Sequence, residues 1–211
     1  MIVLGWIPGN AVKLAVMVVV WGIGFGRLAR MELAAAGLIN LLFIAMDEAA
    51  LRQGVFLFRR PDAIGLPVYE FFIWGFYILH LLRYLDGPSA NPRRLLWAFG
   101  MALVFSVCFS TIKDPVLLAA AAGGVLAMSL VLFHEPMDLA YTIYMTGTGA
   151  LVEYTGTGTG QWTYPNAPIG GVPLWSFAMW AGIGLFTRRI LLPLFTNSPD
   201  SERQLNETAA P

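Results

Sequence analysis

Apolar runs separated by short polar breaks repeat along the whole chain. A helix that crosses a bilayer needs about 20 predominantly apolar residues, and seven segments of this kind are predicted. The first runs from Ala11 to Phe25, its glycine-rich end suited to close helix packing. The second runs from Glu32 to Met46 and ends at Asp47-Glu48. A loop over Leu51 to Leu66 carries Arg52, Arg59, Arg60 and Asp62. Pro67 opens the third segment, because proline is tolerated in a first helical turn, and this segment reaches Leu85. The break from Asp86 to Pro92 precedes Arg93-Arg94 and a fourth segment ending at Ile112. Lys113-Asp114-Pro115 turns the chain into a fifth segment that ends at Phe133, and His134-Glu135-Pro136 turns it into a sixth, rich in Thr and Gly, that ends at Tyr154. The loop Thr155 to Gly171 leads to Pro173 and a seventh segment closing at Arg188-Arg189.

Part of this pattern occurs twice. Gly54-Val55-Phe56-Leu57-Phe58 and Gly65-Leu66-Pro67 return as Gly160-Gln161-Trp162-Thr163-Tyr164 and Gly171-Val172-Pro173, at a constant offset of 106 residues. The same offset pairs Asp47 with Glu153 and Trp74 with Trp180, without a gap. An internal duplication follows. It maps segments one, two and three onto five, six and seven and leaves four as a connector. The fold class expected is an all-α integral membrane protein with seven transmembrane helices in a 3+1+3 arrangement of two parallel three-helix repeats. The repeats take residues 1–85 and 115–195, the connector helix 86–114, and a polar tail 196–211.

Composition agrees. The chain is 57% hydrophobic and 12% charged, about half the charge of an ordinary soluble domain. Its formal net charge is zero, so nothing points to nucleic acid. Cys108 is the single cysteine, which excludes an internal disulfide and reads as a small packing residue. No cleavable signal peptide is evident before Asn10. One set of loops carries Arg27, Arg30, Arg83, Arg93, Arg94, Arg188, Arg189 and Arg203; the other carries Lys13, Arg52, Arg59, Arg60 and Lys113. The larger set is expected in the cytoplasm of a multi-pass cell-membrane protein, with the N-terminus outside and the C-terminus inside. Both duplicated loops then share one face.

Four acids are candidates for catalysis. Asp47 and Glu153 end segments two and six, where the negative helix end favours the protonated carboxyl a general acid needs. Glu48 is a neighbour that competes for the inward position. Glu70 lies about one turn into segment three, at the positive helix end, within reach of Arg59 or Arg60. It reads as the ionised member, with Asp47, Glu48 or Glu153 as the acid. Ionisable groups inside the apolar band are costly and point to function. Phe56, Phe58, Tyr69, Trp74, Trp162, Tyr164, Trp175 and Trp180 fall near the same membrane face. They read as an interfacial belt or as the substrate-binding walls of a pocket whose ring faces stabilise a cation. His80 and His134 lack metal-ligand spacing, so no metal site is expected. No nucleotide fingerprint or Ser/His/Asp order is present, and segment seven has no lysine to anchor a retinal.

Asp47, Gly54-x-Phe56-x-Phe58 and Gly65-x-Pro67-x-x-Glu70-Phe71 resemble the repeat of the membrane lycopene cyclases, built from two three-helix domains. Glu153 through Gly160-Gln161-Trp162-Thr163-Tyr164 to Gly171-Val172-Pro173 is also similar to the related membrane carotenoid hydratases. Phe71 stands where that family's motif has a second acid, and Ser176 stands at the position equivalent to Glu70. The resemblance implies a cofactor-independent enzyme of carotenoid or terpenoid biosynthesis, cyclising or hydrating a terminal double bond of a hydrophobic polyisoprenoid by acid catalysis among membrane lipids. Two alternatives stay open. One is a non-catalytic subunit that binds pigment or lipid with a membrane-protein partner. The other is a 3+1+3 small-molecule transporter, although the Pro-Gln pair of sugar carriers is absent from segments one and five.

Overall fold

The computed structural model describes residues 2–85, 90–165, 167 and 169–193. A short helix α1 (Ile2–Trp6) precedes seven longer ones: α2 (Asn10–Phe25), α3 (Arg30–Arg52), α4 (Glu70–Tyr84), α5 (Leu95–Thr111), α6 (Pro115–Phe133), α7 (Pro136–Gly158) and α8 (Leu174–Phe186). A 3-10 turn, Pro92–Arg94, leads into α5, and a π-helical turn, Thr187–Leu191, continues α8. Two short strands, β1 (Leu57–Phe58) and β2 (Trp162–Thr163), lie in the two duplicated loops. Residues 86–89 of the expected linker from Asp86 to Pro92, and the tail over 196–211, lie outside the described residues.

Helix α3, the stretch Pro92–Thr111 and α6 are long and apolar enough to cross a membrane, and α2 is a shorter apolar helix. Large apolar side chains also face outward: Ile23, Leu96 and Val131 are 81%, 85% and 81% exposed. Lipid is the solvent that such a surface suits.

The helix ends follow local chemistry. The Asp114 carboxylate accepts from the N–H groups of Val116 and Leu117 at 3.0 and 2.7 Å, with Pro115 in the first turn of α6. Glu135 and Asp138 form a capping box around Pro136 at the start of α7.

Two expected ends are corrected. Helix α3 runs on through Ala49-Ala50-Leu51, strong helix formers, and α7 continues to Gly158. Hydroxyls of Thr142, Thr146 and Thr157 donate to carbonyls four residues back, at 2.6–2.7 Å, so these threonines stay inside α7, and Thr159 caps its end with the same bond to Thr155 O. Asp47 and Glu153 therefore lie more than a turn inside their helices, not at the negative ends. Helix α4 begins at Glu70, three residues after Pro67.

Local geometry recurs at the sequence offset. Helices α3 and α7 are each 23 residues long and start 106 positions apart. Gly54 and Gly160 turn with φ 69° and 66°. Bridges Ala63↔Leu66 and Ile169↔Val172 close equivalent turns. The strands pair antiparallel as Leu57↔Thr163 and Phe58↔Trp162, so the two repeated loops meet each other. Alternating aromatics at Phe56/Phe58 and Trp162/Tyr164 are the period-2 signal of this ribbon.

Helix α7 packs on α8, α3 on α4, and α6 on both α5 and α8. Arg188 and Arg189, expected as interfacial charges, are buried instead. Arg188 donates to Asp138 at 2.6 Å and to Glu135 at 3.0 Å; Arg189 donates to Asp138 at 2.8 Å and to Glu135 at 2.9 Å. The π-helical turn carries both arginines in succession into this acid pair.

Candidate functional site

Three of the four candidate acids face one cavity of about 990 Å³: Asp47 from α3, Glu70 from the start of α4 and Glu153 from α7. Two are held by matching indoles. Trp74 Nε1 donates to Asp47 Oδ2 at 2.9 Å, and Trp180 Nε1 donates to Glu153 Oε1 at 3.1 Å. Each acid precedes its tryptophan by 27 residues, because each half brings the middle of one helix against the start of the next. Glu153 Oε2 also accepts from Trp162 Nε1 at 3.1 Å and Tyr164 Oη at 2.8 Å. A carboxyl that accepts from three donors is fixed in orientation.

Glu70 differs. It is buried, opens on the cavity and makes no side-chain hydrogen bond or ion pair among the described residues. The expected partners, Arg59 and Arg60, do not reach it. The β-ribbon turns successive side chains to opposite faces, so Phe58 lines the cavity while Arg59 lies on the other side. In the second half Ser176 occupies the equivalent place, and its hydroxyl donates to Pro173 O at 2.8 Å. The site is thus asymmetric, with one free carboxyl.

Glu48 is not in the cavity wall and instead pairs with Arg52 one turn on. One residue along a helix is about 100° round its axis, which takes Glu48 away from the face that Asp47 presents. Phe56, Phe58, Trp74, Trp162, Tyr164, Trp175 and Trp180 all line the cavity. Trp74 stacks between Phe43 and Trp180, at ring-centroid distances of 4.0 and 5.3 Å. Tyr69 does not belong with them. It lines a second, smaller cavity beyond the ribbon, since it precedes the first turn of α4 and points the opposite way from Glu70.

Space for the walls comes from glycines. The Trp180 indole lies against Gly149 and the Trp162 indole against Gly156, so close that a Cβ at either position would collide with the ring. Small residues let bulky ones approach the helix backbone.

Tyr77 and Phe43 are wall residues that the sequence reading missed. Tyr77 packs edge-on against both Trp74 and Trp180. Its spacing of three from Trp74, one helical turn, was the available signal. The cations in the wall, Arg52 and Lys113, are both exposed, and Arg52 is taken by Glu48. Among the described residues no group of three His, Cys, Asp or Glu side chains is placed to hold a metal ion.

A partly open chamber with a carboxyl free of hydrogen-bond donors among the described residues, two indole-anchored carboxyls and aromatic walls has the parts for proton addition to an apolar substrate and shelter of the resulting cation.

No family model and no curated protein matches this sequence. Two solved structures are similar in shape. One is MvINS, a mycobacterial Insig homologue from Mycobacterium vanbaalenii, with 14% identity and a TM-score of 0.61 over 78% of this chain and 95% of that one. The other is a cross-linked trimer of a variant of MvINS, with 14% identity and a TM-score of 0.66 over 82% of this chain and 98% of that one. The chain therefore shares the helical fold of MvINS, along nearly the whole length of that protein.

Proposed function

We propose that this chain is a membrane enzyme that adds a proton to a terminal double bond of a polyisoprenoid and then cyclises or hydrates it, without a redox cofactor. The observation that carries the reading is the meeting of Asp47, Glu70 and Glu153 at one aromatic chamber inside an apolar bundle. Glu70 is the proton donor in this scheme, because its carboxyl is the one not held by protein donors. Its proton adds to the less substituted alkene carbon and leaves a tertiary carbocation and a carboxylate. Ring faces of the other wall aromatics, Tyr77 and Tyr164 among them, stabilise that cation, while Trp74, covered on both faces by Phe43 and Trp180, anchors Asp47. For cyclisation, the next double bond attacks the cation, and Glu153 removes a proton from the new ring. For hydration, water adds and Glu153 takes its surplus proton. The proton passes from Glu153 back to Glu70, and the site is restored.

The chamber also suits a lipid-borne substrate. Leu42 of α3 and Leu103 and Val107 of α5 are wall residues that are also exposed, which supports a side opening between these helices at the level of the acyl chains. In the same reading α2–α4 and α6–α8 are parallel repeats about an axis along the membrane normal, α5 is the connector, and the C-terminus is cytoplasmic. Likeness to the membrane lycopene cyclases and carotenoid hydratases supports the substrate class. Asp47→Asn, Glu70→Gln and Glu153→Gln, made singly and assayed by pigment extraction from carotenoid-producing cells, test it. Glu70→Gln is expected to lose about 10²–10⁴-fold of turnover, the usual weight of a general acid. Full activity in all three variants overturns the proposal.

A second reading is a non-catalytic subunit that holds lipid or pigment. The fold of MvINS, crystallised as a cross-linked trimer, favours it. Native mass analysis separates the two: a stable assembly with bound lipid and no turnover supports the subunit.

A further inference from the structure

Beyond the β1–β2 ribbon from the acid-lined chamber lies a second cavity of about 230 Å³. The start of α2, the Arg59-Arg60 pair, Tyr69 and Gln161 form much of its wall. Its charged residues are Lys13, Arg59 and Arg60, and no carboxylate lines it. Asp62, in the same loop, accepts from Asn10 Nδ2 and from Val68 N–H, both at 2.8 Å, and is committed to those donors.

Three features of this pocket keep bonding capacity to spare among the described residues. Lys13 is only 2% exposed, lies 5.1 Å from the centre of the Tyr69 ring and donates to Gln161 Oε1. An ammonium has three donors, so two remain. The Tyr69 hydroxyl is buried and has no hydrogen-bond partner among the described residues. Arg59 and Arg60 make no ion pair among the described residues. Glu70, beyond the ribbon, offsets part of the Lys13 charge, and an anion seated among the ammonium and the two guanidinium groups is favourable in addition. Exposed Trp6 in the wall marks the bilayer–water interface, where such rings collect.

The geometry points to a binding site for a phosphate monoester at the membrane surface, held by Lys13, Arg59, Arg60 and the Tyr69 hydroxyl. Phosphate offers several acceptor oxygens, which match guanidinium forks and an ammonium. The volume holds a head group and not an acyl chain. Its test reads binding and not turnover, so it is separate from the test of the acid-lined chamber.

The test uses the full chain purified in detergent, with melting temperature followed against phosphatidic acid in mixed micelles, inorganic phosphate and phosphatidylcholine. Phosphatidic acid is expected to raise the melting temperature saturably, and phosphatidylcholine is not. Lys13→Met and the double variant Arg59→Gln/Arg60→Gln are each expected to raise the half-saturating concentration by about tenfold or more, the weight of one charge-assisted hydrogen bond. A saturable shift with inorganic phosphate as well assigns the site to the phosphate group itself; a shift with phosphatidic acid alone assigns it to a lipid head group. Absence of a saturable shift with both ligands overturns the proposal. So does an unchanged half-saturating concentration in the arginine double variant, whose exposed side chains leave folding intact.

Discussion

At the scale of single residues, the chamber depends on where two indoles can lie. Trp180 reaches Glu153 only because position 149 is glycine. Gly149→Ala is expected to destabilise the protein by about 1–3 kcal/mol through overpacking and to move the indole off the carboxyl. Thermal melting and tryptophan emission measure both effects. Gly147→Ala, facing open space in the same helix, is the control: it is expected to leave the emission unchanged and to hold or slightly raise the melting temperature, since alanine favours a helix interior over glycine by about 0.5–1 kcal/mol. The acids and most of the aromatics were readable from the sequence, because a lone carboxyl in an apolar run is conspicuous. Their state of bonding was not. Glu70 was read as within reach of Arg59 or Arg60; the alternation of the ribbon takes Arg59 beyond it, and the chain has left the strand by Arg60, which lines the same outer cavity. Lys13 was counted among the loop charges, yet it is buried with its partner Gln161, 148 positions away, and no local pattern announces such a contact.

At the scale of helices, the end of the bundle away from the ribbon is held by the ion cluster of Glu135, Asp138, Arg188 and Arg189. Asp138→Asn leaves two buried guanidinium groups short of charge and is expected to lower stability by about 3–5 kcal/mol, read as a fall in melting temperature. Burial opposes ionisation of Glu135, but the hydrogen bonds from Arg188 and from Asn91 N–H and the charges of both arginines outweigh it, and its carboxyl is held below the ordinary value. A lowered folded value means stability that is present above the unfolded value of about 4.3 and is lost as pH falls through the folded one. A melting series from pH 7 to about 3 is expected to show this fall, and Glu135→Gln to flatten it. The sequence read Arg188-Arg189 as a cytoplasmic marker because adjacent arginines after an apolar run usually are one. The π-helical turn that carries them inward has no sequence signal of that strength. Hydropathy placed the helices well; it placed their ends poorly where threonine and glycine stay helical.

At the scale of the whole molecule, the two halves touch through the ribbon, and its central pair, Leu57 and Thr163, are equivalent positions of the duplication. Both side chains are exposed. Leu57→Cys/Thr163→Cys in a Cys108→Ser background is expected to cross-link under mild oxidation, seen as a mobility shift without reductant. Closing a loop of about 100 residues is expected to add up to about 4–5 kcal/mol of stability. Absence of the cross-link would show that the halves do not meet there.

That central pair also bears on how such a chain could arise. A strand that pairs antiparallel with its own duplicate, in register at equivalent positions, is the contact that two identical short chains would make across a twofold axis. A half-length ancestor assembling as a homodimer would already bring two tryptophan-tethered acids to the same hollow. Fusion then released each half from obeying the other, and a serine at position 176 opposite a glutamate at position 70 is the kind of divergence that only a joined pair can keep.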